Sequence, residues 1–150
     1  MLKNEIPRIA FVYPGIAEPG VKEDFTPELG IQCDTFPCEK NVLVRFGVIG
    51  FNGVDNYSLE LKIYLDDEDV TLSNHSHNNL FSYNPKWSGD GEFVAAMAVV
   101  EGFKAKAPGI YRIEASLLCM KADSDTGWKT IEVISAYFAV AEKWESKIDT

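Results

Sequence analysis

Tyr57–Leu65 reads YSLELKIYL, and its reading decides the fold. Tyr57, Leu59, Leu61, Ile63 and Leu65 fall on one side of an extended chain. Ser58, Glu60, Lys62 and Tyr64 fall on the other. Successive side chains of a strand point to opposite faces, so this is a strand with one face in an apolar core. Asn41–Gly50 (NVLVRFGVIG) repeats the pattern, with Val42, Val44, Phe46 and Val48 on one face and Arg45 on the other. So does Tyr111–Met120 (YRIEASLLCM), with Tyr111, Ile113, Ala115, Leu117 and Cys119 facing one way.

Other segments extend the series. Pro7–Tyr13 (PRIAFVY) is apolar and stopped by Pro14-Gly15, which predicts a first strand. Ile131–Val140 (IEVISAYFAV) is β-branched and aromatic, which predicts a late one. Gly91–Val100 (GEFVAAMAVV) is apolar on both faces, and its flanking glycines favour a buried strand over a helix. The Asn-Gly pair in Phe51–Asn56 predicts a hairpin or slightly longer loop between two strands. Asp123–Gly127 joins the last two. Short strands with such turns, and no clear amphipathic helix, predict an all-β protein, an antiparallel sandwich of about seven to eight strands. Neither repeat nor linker divides residues 1–150, so one domain is expected, with 141–150 as a frayed or helical tail.

Ala107-Pro108-Gly109-Ile110-Tyr111 is a Pro-Gly turn leading into a strand that opens with Tyr. This resembles the start of the penultimate strand in many immunoglobulin-like and fibronectin type III-like bacterial domains. There a Tyr near a corner packs and hydrogen-bonds locally. The resemblance is architectural, covers Val42 to Val140, and implies an immunoglobulin-like sandwich in which Val42–Phe46 and Tyr57–Leu65 are paired strands. Cys38 and Cys119 stand where antibody domains carry cysteines, but no Trp lies in the strand between them. Such folds host many tasks, so the resemblance implies no activity.

The formal net charge is −9, from 23 acidic and 14 basic residues. That disfavours direct binding to nucleic acid, which needs clustered Lys and Arg. It also disfavours anionic membranes and suits a basic protein partner. The opening residues lack the apolar run of a secretory signal, and no stretch reaches the length of a membrane span. A cytoplasmic protein is expected. Cys33, Cys38 and Cys119 are then expected as free thiols.

Ser73–Gly91 (SNHSHNNLFSYNPKWSGDG) has neither strand nor helix period. It mixes rigid aromatics with small polar groups, as antibody binding loops do. Tyr83, Trp87, Asn78, Asn79, His75 and His77 are the candidate partner-binding residues, while Leu80 and Phe81 suit a short strand capping the core. His75 and His77 would share a face on a strand and reach one Zn²⁺, but a site needs further ligands and no second pair accompanies them. No metal is expected. Cys33-x4-Cys38 likewise lacks a matching pair.

Asp66, Asp67, Glu68 and Asp69 lack the glycine-containing spacing of a calcium loop and read as a solvated turn. With Asp55 and Glu60 they suggest an acidic surface. Phosphate-loop, dinucleotide, nucleophile-elbow and zinc-protease motifs are absent. The expectation is therefore a non-catalytic factor without cofactor, accessory or inhibitory, of bacterial or phage type. A virion or secretion-apparatus subunit and a carbohydrate-binding module are the alternatives. Leu43, Ile49, Val94, Ala96, Ala98, Val100, Val133 and Tyr137 point away from the expected core. Gathered into one patch, they would favour a partner or a homodimer, unless residues 14–40 fold over them.

Overall fold

The computed structural model describes residues 7–15, 27–51, 55–72, 81–82, 94–121 and 127–142. Six long strands carry the architecture: β1 (Arg8–Gly15), β3 (Cys38–Ile49), β4 (Asn56–Leu65), β7 (Val94–Ala105), β8 (Gly109–Met120) and β9 (Lys129–Ala141). Three short ones accompany them: β2 (Gly30–Gln32), β5 (Glu68–Asp69) and β6 (Phe81–Ser82). No helix occurs among the described residues, so none there is long and apolar enough to cross a membrane. Within the apolar run Gly91–Val100 the described residues, from Val94 on, are a strand as expected, and it continues to Ala105.

The strands form two sheets. One has the order β1-β3-β7. The other runs β2-β9-β8-β4-β5, with β6 also joined to β4. All pairings are antiparallel except β2 with β9. The inward faces are those the alternation predicts. Val44, Phe46 and Val48 of the first sheet are fully buried, as are Leu59, Ile63, Ile113, Ala115 and Leu117 of the second.

One expected pairing fails. β3 and β4 do not form a hairpin. β3 lies between β1 and β7, and β4 lies beside β8. Each buries an apolar face, and the two sheets carrying these faces stack across one core. Gly50, in the left-handed region at φ 90°, begins the crossover. The Asn-Gly signal is local, whereas pairing is decided by burial of both faces.

The sandwich is joined along both sides. On one, Glu132 of β9 accepts the backbone N–H of Ile9 at 2.5 Å and pairs with Arg8 at 3.1 Å. Register shifts between Ile9 and Phe11 and between Leu117 and Leu118 lie beside this contact; such bulges re-aim side chains. On the other side Val70–Leu72 bonds both sheets. Val70 N–H donates to Ile63 O, Lys104 N–H to Val70 O, and Leu72 N–H to Gly102 O.

Cys33 and Cys38 are joined by a disulfide, contrary to the expected free thiols, and Cys119 is free and buried. The intervening turn contains a cis Phe36–Pro37 peptide. Cys33 N–H donates to Ala141 O, continuing β2 along β9, while Cys38 opens β3. The bond therefore ties one sheet to the other. For so short a loop it contributes about 2 kcal/mol in the chain-entropy account.

The β7–β8 crossover is fixed by Tyr111. Its hydroxyl donates to Ala107 O at 2.7 Å and accepts the N–H groups of Lys106 and Ala107 at 3.1 and 3.3 Å. Its ring packs against Phe103 and Phe138, with centroids 5.5 and 5.7 Å away. The local hydrogen bonding expected of this residue is present.

Candidate interaction surfaces

His75, His77, Asn78, Asn79, Tyr83 and Trp87 lie outside the described residues. Phe81–Ser82 does form a short strand, opposite Asn56 and Tyr57 of β4.

The acidic run is a tight turn. Asp66 and Asp67 connect β4 to β5, with Leu65 opposite Glu68. Asp66 sits at φ 55°, a conformation Asp tolerates better than most residues. Asp69 Oδ1 accepts the Thr71 N–H at 2.9 Å, and Glu68 forms an ion pair with Lys106. All four acids are exposed. Asp55 is not exposed with them. It is buried and paired with Lys121 at 3.3 Å, because it stands at the end of the crossover where the chain enters β4. Among the described residues no group of three His, Cys, Asp or Glu is placed to hold a metal ion.

The outward apolar residues do not gather into one patch. Register divides them between the two sheets. On the three-stranded sheet, Tyr13 and Ala98 flank Arg45, Phe11 and Ala96 flank Gly47, and Leu43 lies between Gly15 and Val100. Phe11 lies over Gly47, where an added Cβ would collide with the ring. Phe11, Ile49 and Val100 are 42%, 43% and 55% exposed. Leu72 approaches the same face beside Gly102.

On the larger sheet, outward residues form cross-strand rows. Tyr64, Arg112 and Tyr137 make one row, and Lys62, Glu114 and Ser135 the next. The Arg112 guanidinium lies 4.6 Å above the Tyr64 ring and 3.7 Å from Glu114. Burial, with Glu114 beside it, pushes the Tyr64 hydroxyl above its ordinary value. Val133 and Tyr137 are both more than half exposed. Arg112 was not singled out in the sequence, although its place in the Tyr111 strand put it on the outward face.

The described part of residues 14–40 does not cover the three-stranded sheet. Pro27 pairs with Gly15 at the end of β1, and β2 runs along β9. Comparison with known proteins adds no relative: no family model and no curated protein matches the chain.

Proposed function

We propose that the chain is a non-catalytic, immunoglobulin-like β-sandwich that works by binding another protein, as an accessory or inhibitory factor of bacterial or phage type. Strand order supports the immunoglobulin-like part. Leaving aside the short strands, β1-β3-β7 facing β9-β8-β4 matches the A-B-E and G-F-C order of that fold. The Tyr111 hydroxyl bond lies at the start of the strand in the F position.

The observation that carries the binding role is the row Tyr64–Arg112–Tyr137 on the larger sheet. Tyr and Arg are enriched among residues that dominate interfaces, because they combine large rigid area with a polar group. The guanidinium is already held over an aromatic ring, so less ordering remains to oppose binding. The neighbouring acidic turn suits a basic partner. Tyr83, Trp87, Asn78, Asn79, His75 and His77 join the proposal on composition alone.

Affinity capture from the native organism, with the chain as bait, tests it. Arg112→Ala with Tyr137→Ala, or Tyr83→Ala with Trp87→Ala, should abolish capture while the thermal transition persists. Full capture by both double variants would end the recognition reading.

Compartment belongs to the same proposal. The sequence favours the cytoplasm, whereas the Cys33–Cys38 bond favours an oxidising space, where such bonds persist. Acid-quenched alkylation of the chain in its native cells decides this. Labelled Cys33 and Cys38 would support the cytoplasm, and unlabelled ones would exclude it.

A further inference from the structure

We propose that the Cys33–Cys38 disulfide is a reversible latch: it fastens β2 to the edge of β9, and a dithiol reductant frees that strap while the sandwich stays folded. The proposal rests on the protein-binding reading only in placing the strap beside the recognition row of the larger sheet.

The strap is weakly held apart from its sulfur. β2 has three residues, Gly30–Gln32, paired in parallel with Ala139–Ala141, and parallel ladders are slightly less stable than antiparallel ones. Leu29 and Gln32 are exposed, Ile31 is only partly buried against the core, and Cys33 alone is fully buried. The body of the sandwich is joined without β2. Glu132 with Ile9 and Arg8 links the sheets on one side, and Val70–Leu72 links them on the other.

Both redox states fit one turn. Cys33 Sγ lies 3.0 Å from Thr35 O, so the thiol formed on reduction donates to an acceptor already in place. Cys38 is half-buried where Cys33 is fully buried, so the reductant reaches the bond from the Cys38 side. A reductant thiolate bonds to Cys38 Sγ, and the electron pair of the S–S bond leaves on Cys33 Sγ, which takes a proton from water. The second thiolate of the reductant then attacks the reductant sulfur of this mixed disulfide. The reductant departs as a cyclic disulfide, and Cys38 leaves as a thiolate that is protonated in turn. Two electrons pass from the dithiol to the protein. Cys119 takes no part: it faces Lys129, at the opposite end of β9 from Ala141, on the order of 40 Å away along the strand.

Release reaches the recognition row by position. Gly30 faces Ala139, two residues beyond Tyr137 on the same side of β9. Freeing the strap uncovers the Ala139 N–H and the Ala141 carbonyl, which pair with Leu29 O and Cys33 N–H. An uncovered strand edge is open to new pairing.

Amide exchange of the full chain, with and without dithiothreitol, tests the proposal. Reduction should make Cys33 and Cys38 open to alkylation. It should accelerate exchange at the Cys33 and Ala139 N–H groups on the order of tenfold, while β4 and β8 keep their protection. Reoxidation should restore the slow exchange. Cys33→Ser with Cys38→Ser should exchange fast at Ala139 from the start and show no response to dithiothreitol. A bond that resists dithiothreitol in the folded chain, loss of protection across β4 and β8 on reduction, or unchanged exchange at Cys33 and Ala139 in the reduced chain would overturn the latch. No partner enters this measurement, so failure of the recognition reading would leave the latch standing, and failure of the latch would leave the recognition reading standing.

Discussion

The outer face of the three-stranded sheet is mostly apolar, with Arg45 at its centre and Glu39 opposite Lys104 at one end, while that of the larger sheet is a grid of Tyr, Arg, Lys, Glu and Ser with Val133 and Ile110 exposed among them. Both lie over one interior, and their strands alternate in the same way. The difference teaches that inward residues are bound by packing, whereas outward ones answer to whatever meets them. The larger sheet, with its paired charges, is the face to which the proposed partner is assigned.

That contrast holds only if a single interior lies behind both faces, and the largest effect tests this. Phe103→Ala empties the centre of the Phe103–Tyr111–Phe138 cluster. It should cost about 3–5 kcal/mol in denaturant unfolding. Amide exchange should accelerate in β3 and β8 together; acceleration confined to one sheet would break the picture of a shared core.

Glu132→Ala comes next. It removes the carboxylate that holds the Ile9 N–H and Arg8. A loss of about 1.5 kcal/mol is expected, with amide exchange at Ile9 rising first. A smaller loss, about 1 kcal/mol, is expected for Tyr111→Phe, which leaves the Ala107 carbonyl unpaired at the crossover. Arg112→Ala removes the cation above Tyr64 on the exposed grid, and about 0.5 kcal/mol should be lost. If Arg112→Ala proved as costly as Glu132→Ala, the grid would be structural and not a surface kept for a partner.

The subtlest effect is on pH dependence. Burial, with Asp55 adding to it, pushes the Cys119 thiol above its ordinary 9.0. Burial and Glu114 push Tyr64 above 10.0. Both groups keep their protons longer folded than unfolded. Above about pH 9 the unfolded chain therefore binds fewer protons, so stability is complete below that pH and falls as pH rises. Urea midpoints at pH 8 and near pH 10.5 should show the fall, and Tyr64→Phe should lessen it.

Much of the fold was legible because burial leaves a period-two record. Tyr57, Leu59, Leu61 and Ile63 are buried as their spacing predicted, and Ser58 is the exception on their strand. Tyr111 was legible because its turn and its strand adjoin in sequence. The candidate surfaces were only half legible. Outwardness of Leu43, Val100, Val133 and Tyr137 follows from alternation, but their division between two sheets depends on which strands pair. Asp55 looked like surface because its partner, Lys121, is 66 residues away. The Cys33–Cys38 bond was discounted on compartment, a matter outside the chain.

What the residues determined by themselves is local: where the chain extends, which side of each strand avoids water, and where it turns. Those preferences act between neighbours, through sterics and the alternation of side chains. The tertiary structure alone decided that β3 and β4 stack across the core and do not share an edge. It also decided that Glu60 and Glu114 share the outer face of one sheet while Leu43 and Val100 share that of the other. Strand partners are chosen by the joint burial of many distant side chains, and no short stretch of sequence contains that sum.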